Sequence, residues 1–240
     1  MMTLLQPKYD YKSLSRNESG GKRSYTCPDG SKVPSVTTIL DKTKSEESKQ
    51  ALANWKKAVG EKKAQEIVTE AAGRGTRMHK FLEDYIKGEP LKENLTNPYA
   101  AQSLIMAKKV IKDGFPDVNE VWGSEVPLYF PELYAGTTDC VGIHAGDESI
   151  LDFKQTNKPK KLEWIEDYFL QLTAYALAHN ELYGTNIQKG VIMMCVRPPE
   201  IEPGVWGEPQ YQQFILESKD FNYWTNRWCD RVDNYYKLYG

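Results

Sequence analysis

The sequence predicts an α/β protein organised around one core. Amphipathic helical stretches alternate with short β-branched or apolar runs from residue 23 to residue 239. The 240-residue chain is 40% hydrophobic and 27% charged, long enough for one sizeable core and without an evident internal linker. The stretch Gly136–Gln155 reads as two strands about a Gly-Asp turn, with polar residues where core residues would be expected.

If that turn centres on Ala145-Gly146, cross-strand partners have residue numbers summing to 291, so Val141 faces Ile150 and Asp139 faces Asp152. Side chains alternate along a strand, so Asp152 and Lys154 share one face while Leu151 and Phe153 take the other. Opposed side chains on one face have Cβ atoms roughly 4.5–5.5 Å apart. Two carboxylates at that spacing, set among Leu, Ile, Val and Phe, repel each other unless a cation lies between them. The pattern points to a divalent metal. The plainer alternative for Asp152 and Lys154 alone is a solvated surface ion pair, contributing at most about 1 kcal/mol.

Taken from the N-terminus, residues 1–22 are polar and predict a flexible arm, followed by one domain over residues 23–240. Arg23–Val33 predicts a hairpin turning at Asp29-Gly30. The segment Pro34–Leu40 is short and β-branched. A helix is expected from Thr43, with Glu46 completing a capping box, to about Ala72. Gly73-Arg-Gly75 should interrupt it, and Thr76 should cap a second helix from Arg77 to about Lys87. That helix carries His79 in its first turn, beside an apolar stripe. A structural histidine is the commoner occupant of such a place, and the glycine break beside it raises the functional reading somewhat. Asn97 to about Lys112 predicts an amphipathic helix, and Val121–Phe130 a strand. Glu125 is polar within that apolar strand, either an edge-surface position or a third acidic group near the metal. Leu162 to Leu182 predicts a helix on which Gln171 and Tyr175 stack, although a tyrosine at that spacing is more often core. Gln188–Val196 predicts a central strand, Tyr211–Leu216 an edge strand, and Phe221–Tyr239 a terminal helix with an aromatic packing stripe.

The net charge of −2 does not announce a nucleic-acid binder. Basic residues nevertheless cluster at Lys56-Lys57, Lys62-Lys63, Arg74 and Arg77, Lys108-Lys109 and Lys158–Lys161, and local patches decide where a phosphate backbone lies. The four cysteines show no C-x-x-C, which suggests neither a zinc site nor an iron–sulfur cluster and fits reduced thiols in a cytosol-like compartment. No apolar run approaches a membrane span, and no signal peptide is evident.

Four signatures follow one another: Gly75-Thr76-x-x-His79, Gly136-x-x-Asp139, Asp152-Phe-Lys154 and Gln171-x-x-x-Tyr175. In this order they resemble the PD-(D/E)XK nuclease superfamily, in its RecB-like exonuclease branch. Pro34-Ser-Val-Thr-x-Ile-Leu40, Trp55-Lys56 and Tyr223-Trp224-Thr-x-x-Trp228 extend the similarity to the mitochondrial genome maintenance exonuclease group. The resemblance implies a restriction-endonuclease-like core, a central mixed β-sheet flanked by helices, with an N-terminal helical region. It implies a Mg²⁺- or Mn²⁺-dependent enzyme acting on single-stranded DNA from a free end, in replication, recombination or repair. Carried over residue by residue, His79, Asp139, Asp152 and the backbone carbonyl of Phe153 ligate the metal, with Glu125 beside them. Lys154 positions the attacking water and offsets phosphate charge. Gln171 and Tyr175 orient the site, while Arg74, Thr76, Arg77, Lys158 and Lys160 contact the substrate. With no Arg-rich transit peptide in view, a phage or bacterial member acting as a monomer in the cytoplasm is expected, rather than an organellar one.

Two other readings stand beside this one. A duplex-cutting endonuclease of the same fold would need a base-reading element and a dimer, and the sequence offers no candidate for either. A non-catalytic DNA-binding scaffold would have no reason to keep the full His, Asp, Asp, Lys set, given what buried charge costs.

Overall fold

A computed structural model describes residues 4–19, 22–93 and 95–240. Three short strands, β1 (Ser15–Ser19), β2 (Lys22–Thr26) and β3 (Lys32–Pro34), form a small antiparallel sheet. Four helices follow: α1 (Val36–Lys42), α2 (Glu46–Val59), α3 (Glu61–Ile86) and α4 (Pro98–Gly114). Next come β4 (Val118–Phe130), β5 (Tyr134–His144), β6 (Asp147–Thr156), α5 (Glu166–Tyr183) and β7 (Lys189–Val196). A two-stranded ribbon of β8 (Glu200–Glu202) and β9 (Val205–Trp206) precedes β10 (Gln210–Leu216) and the terminal helix α6 (Phe221–Tyr239).

The main sheet runs β10-β7-β6-β5-β4. Only β6 and β7 are parallel, joined across α5, so the sheet is mixed. The β5–β6 hairpin has the expected register, with Val141 opposite Ile150 and Cys140 opposite Leu151. Alternation along the strands divides the core in two. Val141, Ile150, Ile192 and Met194 pack beneath α1, α5 and α6. Cys140, Leu151, Phe153, Val191 and Met193 pack beneath α3 and α4. Buried on both faces, β7 reads as an unbroken apolar run.

Local chemistry accounts for most element ends. Ser35, Ser45 and Asn97 each cap a helix by accepting a backbone N–H, and Gly184, in the left-handed conformation, closes α5. The β-branched segment after Pro34 is therefore a helix: the Ser35 cap and burial of Val36, Ile39 and Leu40 outweigh strand preference.

The break expected at Gly73–Gly75 lies instead at Gly60, whose φ of 87° separates α2 from α3. The first cap is Ser45 rather than Thr43, and α3 runs unbroken through both glycines. Thr76 caps nothing: its hydroxyl donates to the Ala72 carbonyl within the helix. An exposed mid-helix glycine costs roughly 1 kcal/mol relative to alanine. Here both glycines lie on the helix that carries the neighbouring sheet contact, and Gly75 brings its backbone close to Gln155.

Of the arm expected over residues 1–22, residues 1–3, 20 and 21 lie outside the described residues. Leu5 bridges Val121 at the sheet edge, Gln6 N–H donates to the Val121 carbonyl, and Tyr9 and Tyr11 pack with Trp122, His179 and Tyr183. Among the described residues no helix is long and apolar enough to cross a membrane.

Candidate metal centre

Three neighbouring strands present carboxylates at one level of the sheet. The paired residues Ser124–Cys140 and Val126–Thr138 flank Glu125 on β4 and Asp139 on β5, setting those two opposite each other. The β5–β6 ladder ends at Cys140–Leu151, one position before Asp139 and Asp152. There the Asp139 side chain takes over the pairing, with Oδ2 accepting the Phe153 backbone N–H at 2.6 Å.

His79 arrives from the other layer. On α3, one residue beyond the buried Met78, its Nδ1 lies 3.2 Å from Asp139 Oδ1, and its ring packs edge-on against Phe153. Ligand atoms of His79, Glu125 and Asp139 all lie within 4.8 Å of one another. Asp152, only 3% exposed, is paired through its Oδ2 with the Lys154 ammonium. The Lys154 ammonium lies 5.2 Å from the Tyr168 ring on α5.

The electrostatics separate the carboxylates. Burial raises Asp139, but His79, Lys154 and the Phe153 N–H outweigh it and hold the group below the usual aspartate range. Burial pushes Asp152 the other way, up to about 6, with Asp139 adding to the rise and Lys154 opposing it. Burial alone would lower His79 and Lys154, yet the adjacent carboxylates raise both. Glu125 is exposed by surface area, but enough protein surrounds its carboxyl for burial and Asp139 to raise it. Its φ of 52° is uncommon for a residue with a side chain. Such strain persists where its surroundings enforce it, commonly at binding sites.

These features fit a divalent ion. Carboxylate oxygens and one imidazole suit Mg²⁺ or Mn²⁺, the ligand atoms of His79, Glu125 and Asp139 stand close enough to share one ion, and a strained backbone turns Glu125 beside the other two.

Gln171 and Tyr175 lie behind the cluster. Tyr175 is buried and hydrogen-bonded to Gln171, and a Cβ on Gly136 would come within 2.6 Å of its hydroxyl. Glycine at 136 thus lets α5 close onto β5 three residues before Asp139. Gly136→Ala should destabilise the fold by about 1–3 kcal/mol through overpacking. In differential scanning calorimetry that corresponds to a Tm loss of roughly 2–4 °C per kcal/mol.

Arg74, expected to contact substrate, is 1% exposed. Its Nε donates to Gln155 Oε1 at 2.8 Å, Nη1 meets Glu70 at 3.1 Å, and Nη2 binds Asn157. Gln155 returns a bond to the Ala71 carbonyl at 2.9 Å. Arg74 therefore ties the His79 helix to the end of the Asp152–Lys154 strand. Arg74→Ala should lower Tm and weaken Mn²⁺ binding together, since it frees both elements. Loss of even one charge-assisted bond costs about 1.5–3 kcal/mol. Wild-type Mn²⁺ affinity in that variant, by calorimetric titration, would show that Arg74 does not align the site.

Among the remaining expected substrate residues, Thr76 and Lys158 are exposed. Arg77 is half-buried and donates to Ser103 at 3.3 Å. Lys160 is half-buried, its backbone paired with Gln212. The sequence reading missed Tyr168, although it precedes Gln171 by three residues and Tyr175 by seven, one helical face.

No family model matches the chain. It is 28% identical over 212 residues to mitochondrial genome maintenance exonuclease 1 of Homo sapiens, covering 85% of this chain and 58% of that protein. The protein of the same name from Xenopus tropicalis is 27% identical over 222 residues, with coverage of 85% and 58%. The chain thus spans well under two thirds of the length of these relatives. A solved structure of a candidate exonuclease from Eubacterium rectale overlays with a TM-score of 0.45 at 12% identity, over 68% of this chain and 64% of that one. Over most of its own length, the chain is similar in sequence to the mitochondrial genome maintenance exonucleases.

Proposed function

We propose that the chain is a metal-dependent exonuclease that hydrolyses phosphodiester bonds of single-stranded DNA from a free end. The observation that carries this reading is the meeting of ligand atoms of His79, Glu125 and Asp139 within 4.8 Å of one another, with the Asp152–Lys154 pair on the adjoining strand where the β5–β6 ladder ends. His79, Asp139 and Asp152 hold the ion, with the Phe153 carbonyl and Glu125 completing its surroundings. When bound, Mg²⁺ or Mn²⁺ polarises a phosphoryl oxygen and makes water a better nucleophile near neutral pH. Lys154, kept protonated by two carboxylates, offsets charge that develops on the phosphate and orients the attacking water. Asp139 holds its negative charge across the working pH range and fixes the His79 ring. Gln171 and Tyr175 hold α5 against the strand that carries Asp139, and Tyr168 packs beside the Lys154 ammonium. Thr76, Arg77, Lys158 and Lys160 flank the cluster and contact the DNA backbone, with Arg74 supporting them from beneath. The protein acts as a monomer in DNA replication, recombination or repair.

The test uses end-labelled linear single strands, closed single-stranded circles and duplexes, each with Mg²⁺, Mn²⁺, Ca²⁺ or EDTA. Linear single strands should be degraded with Mg²⁺ and at least as readily with Mn²⁺, while circles are spared and Ca²⁺ supports no turnover. Circles cut as fast as linear strands would instead identify an endonuclease, and robust cleavage in EDTA would remove the metal from the account.

A further inference from the structure

A cavity of about 650 Å³ opens between the first turns of α2 and α5, with α6 closing its far side. Thr43, Ser45 and Ser48 line it together with Lys160 and Trp164, the Thr43 hydroxyl donating to the Ile39 carbonyl and the Ser45 hydroxyl to Ser48. Trp164 is 57% exposed on the loop between the Lys154 strand and α5, with the Lys161 ammonium 5.3 Å from its ring. An indole that large, more than half exposed beside the cavity, offers a stacking face.

The cavity lies one side chain from the candidate metal centre. Tyr168, four residues after Trp164, has its ring 5.2 Å from the Lys154 ammonium. Its chain neighbour Asp167 lines the cavity.

The acidic residues of the wall are countered where they stand. Arg227 donates to Glu166 at 3.0 Å, Arg231 meets Asp167 at 3.1 Å, and Lys161 lies 3.8 Å from Glu163. A polyanion entering along Lys160 is therefore not turned away by bare carboxylates. The volume falls within the roughly 300–1,000 Å³ usual for small-molecule sites, and a lining of Lys44, Lys160, Arg227 and Arg231 around one aromatic plane suits a nucleotide better than an apolar protein anchor.

We propose that this cavity receives the nucleotide next to the scissile phosphate, its base stacked on Trp164. This rests on the nuclease reading and adds to it the element that holds one base in place. Every base has a π-face, so the contact tolerates any sequence.

The experiment compares wild type, Trp164→Ala and Trp164→Phe as full chains. In Ca²⁺, linear single strands carrying 2-aminopurine at successive positions from the end report stacking by fluorescence quenching. Quenching at one position in wild type, kept in Trp164→Phe and lost in Trp164→Ala, is expected. In Mg²⁺, Trp164→Ala should raise KM roughly five-fold or more, and an abasic residue at that same position should abolish the difference between variants. Equal quenching in wild type and Trp164→Ala, or an equal KM penalty on intact and abasic strands, would overturn the inference. If quenching behaves as expected but no variant cleaves, the nuclease reading fails and the base site stands. If wild type cleaves but Trp164→Ala matches it in both assays, the base site fails and the nuclease reading stands.

Discussion

Lys154→Ala should lower the rate of single-strand hydrolysis by roughly 10²–10³-fold, the usual effect of removing one preorganised charge-stabilising donor, while Mn²⁺ still binds. The ammonium sits against Asp152, beside the Tyr168 ring and within the field of Asp139. No other lysine or arginine is ion-paired to Asp139 or Asp152 among the described residues, so no neighbour can take over its role. Removing it leaves Asp152 buried without its counter-ion, and the carboxyl then keeps its proton to higher pH than in wild type. Mn²⁺ affinity in the variant should therefore approach the wild-type value only on the alkaline side of neutrality. Single-turnover cleavage paired with calorimetric titration separates the two effects. A variant that loses Mn²⁺ binding at every pH would make Lys154 a structural support of the site rather than an actor in the chemistry.

Asp139→Asn should cost still more, abolishing Mn²⁺ binding and cleavage together. One carboxylate here faces His79, accepts the Phe153 N–H, and sits in the field of Lys154 and opposite Glu125. Asp152→Asn should weaken Mn²⁺ binding by removing one ligand charge, without disturbing the His79 contact. The two variants should also differ in pH dependence. Asp139 has a lowered pKa in the folded protein, so its stabilising contribution is present above the ordinary aspartate value and is lost as acid protonates it. Asp152 is raised to about 6, so its contribution is present at low pH and is lost as pH rises through that value. His79 is raised too, with a contribution present below the ordinary imidazole value and lost as pH rises through its own. In metal-free wild type, Tm should thus decline as pH rises from about 4 to 7, and Asp152→Asn should flatten that decline. Melting curves across this range in EDTA provide the check, and an unchanged slope in Asp152→Asn would mean that Asp152 carries no raised pKa.

The β5–β6 register was legible because period-two alternation and a Gly-centred turn leave few ways to pair two strands. That register, continued one step past the last paired residues, sets Asp139 at the level of Asp152, on the strand that carries Lys154. Gln171 and Tyr175 were legible as a pair, but their partner Gly136 needed the tertiary structure, since nothing local marks a glycine kept small for a tyrosine on a distant helix. The helix boundaries near His79 were misread for a physical reason. Gly73 and Gly75 are the stronger breakers by local propensity, yet Arg74 between them binds Gln155 and Asn157 across to β6 and stabilises a continuous α3. Gly60 sits in a polar run with no comparable signal and takes the φ of 87° that parts α2 from α3. Arg74 itself looked like part of a basic patch, because sequence displays charge but not burial. Glu125 could be read from sequence as an edge-surface position or as a third acidic group near the metal; its left-handed backbone lies beyond what residue types reveal.

The central claim is that His79, Asp139 and Asp152 form one divalent-metal site, and Mn²⁺ titration calorimetry on wild type at several pH values between 5 and 8 tests it most directly. Binding requires Asp152 ionised and His79 neutral, and both hold protons more tightly than usual in the folded chain. Affinity should therefore rise with pH, by roughly ten-fold per unit for each proton displaced, with proton release visible as a buffer-dependent heat. Asp139→Asn should show no binding at any pH. A pH-independent affinity, or an Asp139→Asn variant that binds Mn²⁺ like wild type, would contradict the account.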